Sequence, residues 1–331
     1  MIRITENSMV YVVCPAYNKT GGTELAHQLV YEMCQQGVNA LITYYGDGEK
    51  INPAFKIYVS EYAELNKVDD NVNNIIIFPE IRQDLVDSFS NIQKYVWWMS
   101  VDNYLKRNGI KGCYQFYGFL RMVRHLLLGH IKVGGQKIKK DIVHFYQSEY
   151  AHHFLMSNGV EESYRLSDFI NQAYLKDEPD YKLERENNVL YNPKKGVEFT
   201  KKLMQQSPQF NWVPIENMTT EEVRALLRKS KVYIDFGNHP GKDRFPREAA
   251  ISGCCVITGK LGSAAYYEDI PISEEFKFED IDQNIDAIIN KIDECIVHYE
   301  TGTQKFENYR DFIRNEYAVF KQDIANIIER K

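Results

Sequence analysis

The stretch DFGNHPGKDRFPREAAISGCCVITGKLGS, residues 235–263, sets acidic and basic side chains, two prolines and several glycines around one short apolar helix. Pro246 suits a first helical position, REAAIS reads as the helix, Gly253 as its stop, and CCVITG as a strand. Strand, loop, helix and strand in that order predict a parallel α/β sheet. In such a sheet, ligands bind in the loops beyond the carboxyl ends of the strands.

The same alternation extends in both directions. KVYIDFG precedes the stretch as a strand, EEVRALLRKS is a helix capped by Thr219 or Thr220, FNWVPI is a strand, VEFTKKLMQQ a helix, and NVLYNPKKG (188–196) a strand and turn. In the first half, MVYVVCP (9–15) is predicted as a strand. GTELAHQLVYEMCQQG (22–37) is a helix with Leu25, Leu29, Val30 and Met33 on one face and Gly37 at its end. NALITYY, NIIIFPE and KYVWWMS are further strands, DIVHFYQSEY (141–150) another, and AHHFLMSNG (151–159) a short helix.

At 331 residues the chain exceeds what one core usually organises. The expected division is a Rossmann-like domain over residues 1–180 and a second over 181–305, with the polar run YLKDEPDYKLERENN (174–188) crossing between them. A final helix from about Phe306 to Arg330, within 306–331, is expected to pack back on the first domain.

Hydrophobic residues make up 44% and charged residues 26%, as in ordinary globular proteins. A net charge of -6 argues against nucleic acid as a bulk partner. The six cysteines, at 14, 34, 113, 254, 255 and 295, lack metal-ligand spacing and read as buried thiols of a reducing compartment, which suggests the cytoplasm. The N-terminus has no secretory pattern. FYGFLRMVRHLLLGHIKV (116–133) is interrupted by Arg121, Arg124, His125 and His130, so it does not read as a membrane span.

Three loops after predicted strands carry candidate chemistry. In PAYNKTGGT (15–23), Gly21 and Gly22 either form a tight turn or let backbone N–H groups approach an anion or hydroxyl; the loop lacks a dinucleotide fingerprint. In NPKKG (192–196), Lys194 and Lys195 stand beside Asn192 at a helix start, placed for a phosphate or simply solvated. In FGNHPGKDRFPRE (236–248), Lys242 and Arg244 are candidates to neutralise a diphosphate. Glu248 is a candidate to accept two ribose or sugar hydroxyls, or to complement the helix N-terminus. Gly262 and Ser263, after the next strand, offer one more backbone approach.

The order of these features resembles the GT-B glycosyltransferases of the bacterial capsule and O-antigen type, in the family-4-like group. GGTELAHQLVYEMCQQGVNALITY is similar to their N-terminal glycine-rich element, YNPKKG to the basic turn opening their second domain, and PGKDRFPREAAISGCCVITGKLGS to their donor-binding element. SEYAHHFLMSNG is similar to the segment closing their first domain. The resemblance implies two Rossmann-like domains facing a cleft, with a nucleotide-sugar as donor substrate and no other cofactor. Lys195 takes the place of the phosphate-binding lysine, and Glu248 that of the ribose-holding second glutamate. Gly241 matches the glycine after the first glutamate, and Gly262 and Ser263 stand where backbone amides approach the donor. The first glutamate's position is held by Pro240, so the donor-sugar contact falls to Arg244, Lys242 or His239.

For the acceptor side, WWMSVDNY (97–104) ends a strand with Asp102, a candidate base for an acceptor hydroxyl or part of an ordinary turn. Trp97 and Trp98 read as core in preference to a sugar platform. Residues 116–140, with Phe116, Tyr117 and Phe119 beside Arg121, Arg124, Lys132, Lys137, Lys139 and Lys140, suit either an anionic membrane surface carrying a lipid-linked glycan acceptor or a solvated basic helix.

The expected activity is transfer of a sugar from a nucleotide-sugar to a surface-polysaccharide acceptor, with no D-x-D motif placed to bind a metal. A nucleotide-sugar epimerase of the same fold and a non-catalytic nucleotide-sugar-binding scaffold are the alternatives.

Overall fold

The computed structural model describes residues 1–46, 50–129, 131, 135, 137–176 and 184–330. The chain divides into two compact units, Met1–Asp168 with Ala318–Lys331, and Phe169–Tyr317. The boundary falls ahead of the polar run at 174–188, because Ile170 and Tyr174 are buried in the core of the second unit. Residues 177–183 of that run lie outside the described residues.

The first unit contains β1 (Ile2–Ile4), β2 (Val10–Pro15), α1 (Gly21–Gln35), β3 (Ala40–Tyr45), β4 (Tyr62–Glu64), β5 (Ile75–Pro79), β6 (Gln93–Trp98), α2 (Val101–Arg107), α3 (Gly109–Leu127), β7 (Val143–Tyr146), α4 (Glu149–Ser157) and β8 (Ser163–Arg165). Seven of its strands form one parallel sheet in the order β4-β3-β2-β5-β6-β7-β8. Continuous apolar runs such as IIIFP in β5 fit this position, since a parallel strand is covered on both faces. The α1 helix opens on a reciprocal cap, Thr20 accepting from the Thr23 amide and Thr23 from the Thr20 amide.

Trp97 and Trp98 are core residues, as expected from the sequence, and each indole N–H is satisfied. Trp97 donates to the Leu166 carbonyl at 2.9 Å and Trp98 to His144 Nδ1 at 2.9 Å. Burial lowers the pKa of His144, so the ring is neutral; with Nδ1 accepting, Nε2 carries the proton and donates to the Lys139 carbonyl.

The second unit follows the same plan with β9 (Glu186–Tyr191), α5 (Val197–Gln206), β10 (Asn211–Pro214), α6 (Thr220–Lys229), β11 (Ser230–Asp235), α7 (Arg244–Ile251), β12 (Cys255–Thr258), α8 (Ile285–Val297) and α9 (Tyr299–Gln304). Its four strands are parallel, in the order β10-β9-β11-β12. Thr219 is the cap of α6, in a capping box with Glu222. The α7 helix starts at Arg244, two residues before the proline expected to open it; Pro246 is tolerated because first-turn N–H groups have no helical acceptor.

The last helix, α10 (Glu307–Ile327), begins in the second unit and ends in the first. It stops short of the expected end, and β13 (Ile328–Arg330) pairs in parallel with β1 as a two-stranded sheet in the first unit. In that unit Asp323 accepts from the Ser167 hydroxyl at 2.6 Å and from Arg165 at 3.1 Å. Of the cysteines, Cys34 is exposed, contrary to expectation, because it falls on the outer face of α1; the other five are buried. No described helix is long and apolar enough to cross a membrane.

Candidate functional site

In an open parallel sheet, the crevice for a ligand opens where the strand order reverses. In the second unit that reversal lies between β9 and β11, so the loops after those strands, Asn192–Gly196 and Phe236–Asp243, form the site. They are pressed together through backbone. Gly196 (φ +60°) and Gly237 (φ +91°) face each other so closely that a Cβ on Gly196 would lie 2.2 Å from the Phe236 carbonyl oxygen. A Cβ on Gly237 would lie 2.6 Å from the Gly196 nitrogen. Only glycine satisfies both the left-handed backbone and the contact.

This apposition brings Lys195 into the second loop. Its Nζ lies 2.6 Å from Asp235 Oδ1 and 2.5 Å from Asp243 Oδ2, and 3.4 Å from each ring nitrogen of buried His239. Burial by itself pulls the lysine pKa down, but Asp235 and Asp243 more than offset it and raise the value, so the ammonium is charged. Asp235, His239 and Asp243 have ligand atoms within 4.8 Å of one another, a set that suits a cation. The lysine ammonium takes that place, supplying the positive charge the carboxylates require.

Asn192 accepts the Lys194 amide at 3.0 Å, an Asx turn that leads into α5, and the Lys194 side chain is exposed. Glu248 lies on α7, nearly buried, and the Tyr174 hydroxyl donates to it; burial, then that carboxylate, pushes the Tyr174 pKa up. Arg244 and Arg224 are near enough to act on the same tyrosine.

Two expected donor contacts turn inward instead. Lys242 is 8% exposed, with Nζ 2.9 Å from Glu316 Oε1 and 4.7 Å from the Phe312 ring centroid. Ser263 is fully buried; its amide donates to the His239 carbonyl at 3.0 Å and its hydroxyl to the Gly241 carbonyl at 2.6 Å. Both act on the shape of the loop. Gly262 is beside them in a parallel bridge with His239. His239 is also buried, so of the three residues expected to replace the missing acid, Arg244 is the partly exposed one.

In the first unit the strand order reverses between β2 and β5. The loop after β2 ends at Thr20, Gly21 and Gly22 open α1, and Met99 Sδ lies 3.8 Å from where a side chain on Gly22 would begin. Directly after β5 comes Glu80, 3% exposed, whose carboxylate accepts the Met99 amide at 3.2 Å. Burial pushes its pKa up to about 7, with the Met99 hydrogen bond and Arg107 pulling the other way. Asp102 is also buried, in the first turn of α2, where it accepts from the Tyr150 hydroxyl at 3.0 Å.

No protein-family model matches the sequence, and no curated protein matches it either. Solved structures do match in shape. A sucrose-phosphate synthase from Thermosynechococcus elongatus superposes with a TM-score of 0.60 at 12% identity, covering 97% of this chain and 98% of that one. HepE from Anabaena in complex with UDP-glucose gives 0.61 at 13%, covering 96% and 98%. A glycosyltransferase from Rickettsia africae gives 0.58 at 14%, covering 96% of each chain. This chain has the GT-B glycosyltransferase fold.

Within this GT-B chain, sequence reasoning missed Glu80 and Glu316. Glu80 follows an apolar strand at the reversal of strand order, a signal open to reading once the strand order is known. Glu316 is on a helix far along the chain, and nothing near it in sequence announces its partners.

The segment 116–140 is helical to Leu127, with a break at Gly118. Cys113, Met122 and Ile131 are buried together, while Phe119, Leu120, Leu127 and Leu128 are exposed, Leu120 and Leu127 at 82%. Lys139 is paired with Asp87 at 2.6 Å; His130 and Lys132 lie outside the described residues.

Two outcomes are expected. Gly237→Ala should lose about 2 kcal/mol or more in urea unfolding, because the new Cβ meets backbone in a left-handed residue; a loss under about 0.5 kcal/mol, ordinary for a surface substitution, would contradict the contact. Glu80 binds its proton more tightly folded than unfolded, so stability falls as pH rises from the ordinary carboxylate range to about 7. Glu80→Gln should flatten that decline and raise the thermal midpoint above pH 7, read by thermal scans from pH 4.5 to 8.

Proposed function

We propose that this protein is a glycosyltransferase that takes a sugar from a nucleotide-sugar, held by the second unit, and passes it to a glycan acceptor of a surface polysaccharide, held by the first. The observation that carries the reading is the glycine-to-glycine apposition at the strand-order reversal of the second unit, which sets the loop of Asn192, Lys194 and Lys195 against the loop that leads into α7, the helix of Arg244 and Glu248. In support, HepE, whose complex holds UDP-glucose, shares this fold over nearly its whole length.

On this reading, the diphosphate meets Lys194, Lys195, Arg244 and the amino end of α5, and Glu248 accepts the ribose hydroxyls. The backbones of Gly21, Gly22 and Gly262 offer N–H groups and close approach to the substrates. The leaving diphosphate is compensated by these side chains and helix ends, so transfer of a hexose or related sugar proceeds without a metal. Asp235 and Asp243 take two of the three N–H donors of Lys195, and the third, 3.4 Å from the His239 ring nitrogens, is the one that turns to a phosphate. For the acceptor's proton the first unit offers Asp102 and Glu80. Glu80 is better matched to a base at neutral pH, since its pKa is about 7.

The acceptor is a lipid-linked glycan, and the exposed face of α3 rests on the membrane that carries it. Phe119, Leu120 and Leu127 would enter the interface while Arg121 and Arg124 meet anionic headgroups. On this reading the protein works in the cytoplasm, at the inner face of the membrane.

Glu248→Ala and Arg244→Ala should each weaken UDP-sugar binding by about tenfold or more in calorimetry while the protein still folds, with a lowered thermal midpoint only in Glu248→Ala, which takes an acceptor from the buried Tyr174 hydroxyl; tenfold corresponds to about 1.4 kcal/mol, within the range for charge-assisted contacts. Release of nucleoside diphosphate only with acceptor supports transfer. Interconversion of donors would identify an epimerase, and binding alone a scaffold. Separately, the protein should sediment with vesicles rich in phosphatidylglycerol, less so in high salt, and Leu120→Ser with Leu127→Ser should abolish it. Equal sedimentation of that double variant would remove the membrane from the reading.

A further inference from the structure

A recess of about 290 Å³ opens in the first unit among Tyr45, Arg82, Asp84, Tyr104, Arg107 and Asn108. Its walls come from the carboxyl side of the parallel sheet: Tyr45 closes β3, Arg82 and Asp84 follow β5, and the last turn of α2, which follows β6, gives Tyr104 and Arg107. The volume is at the lower end of small-ligand pockets and suits one sugar ring.

Its charges are arranged unequally. Arg82 donates to both oxygens of Asp84, Nε at 2.9 Å and Nη2 at 3.1 Å, and its guanidinium stacks 4.3 Å from the Tyr45 ring centroid. That guanidinium is fixed and neutralised; of its five N–H donors two go to Asp84 and one to the Tyr45 hydroxyl, which leaves two for a ligand. Arg107 is exposed and, among the described residues, makes no ion pair. The recess therefore carries one positive charge outside any ion pair, felt through space by the buried Glu80 carboxyl, a second guanidinium already oriented, and two aromatic walls with hydroxyl tips. A neutral ligand would leave the Arg107 charge unused; a small oxyanion would meet it.

We propose that this recess binds a sugar bearing a carboxylate or a phosphate, the oxyanion lying between Arg107 and the outer edge of Arg82 and the ring against Tyr45 and Tyr104. This deepens the transferase reading and rests on it for one point only, that the bound sugar is the acceptor; it makes the acceptor acidic.

The test is binding of glucuronate, glucose 6-phosphate and glucose, each followed by saturation-transfer NMR with UDP present in excess to fill the donor site. Glucuronate or glucose 6-phosphate should bind and glucose should not, and whichever anion binds more tightly identifies its source as an acidic sugar or a sugar phosphate. Arg107→Gln, at an exposed position, should keep its thermal midpoint and weaken the anion about tenfold or more, while Arg107→Lys should weaken it less and Lys67→Gln, an exposed control, not at all. Binding of UDP with no binding of either anion would overturn the proposal and leave the transferase reading intact, as would equal affinity in Arg107→Gln. Anion binding without UDP binding would uphold the recess and overturn the donor site.

Discussion

The ammonium of Lys195 holds the second unit's site together. Two carboxylates whose oxygens lie within 4.8 Å repel by roughly 3–4 kcal/mol at an effective dielectric of 20. An ammonium 2.6 Å from one and 2.5 Å from the other recovers roughly 6 kcal/mol per pair on the same scale, before the desolvation that all three groups incur. The carboxylates and lysine are therefore stable only as a set. Asp235 comes from the end of β11, Asp243 from the residue before α7, and Lys195 from the loop after β9, so this one charge ties three backbone segments at the strand-order reversal. The glycine pair beneath it makes the approach sterically feasible, and the ammonium makes it electrostatically favourable.

A second buried cluster sets the far side of the same loop. Arg247, fully buried, donates to both oxygens of Glu316 at 3.0 Å and also to the carbonyls of Lys242 at 2.7 Å and Asp243 at 3.1 Å. The arginine thus shapes the loop through its backbone, while Glu316 on α10 compensates it and Lys242 together. Without Glu316 two buried cations would lose a carboxylate they share, a defect of several kcal/mol. The shape of the loop depends on a helix about seventy residues downstream of it.

That distance explains what the sequence did and did not disclose. The alternation of apolar runs and helical faces, the Thr219 cap, the core role of the tryptophans and the three charged loops were legible because each depends on neighbours a few residues apart. Lys195, Lys242 and Ser263 were legible as loop residues but not in their orientation, since their partners lie 48, 74 and 22 residues away. Glu80 carries no local mark: an acid after an apolar strand is common, and only the neighbouring Met99 segment, brought in by the β5–β6 pairing, buries it. The pairing of β13 with β1 was hidden for the same reason, joining three residues near one terminus to three near the other.

Pro240 fits the electrostatics of this loop better than an acid would. The region already contains Asp235, Asp243 and Asp280, the last accepting the Gly237 amide at 2.5 Å. Burial raises the Asp280 pKa and Asp235 adds to the rise, although the Gly237 hydrogen bond, His239 and Lys195 pull it down, so the local balance already resists further negative charge. One ammonium pairs with Asp235 and Asp243 and acts on Asp280 through space. A fourth in the same turn would raise the repulsion, while Lys242 and Arg247 are already held by Glu316. Proline also suits the backbone: Ser263 bonds the carbonyls of His239 and Gly241 on either side, and a residue with no N–H leaves no donor to satisfy between them. Proline in place of an acidic side chain at 240 therefore agrees with Lys195 serving Asp235 and Asp243.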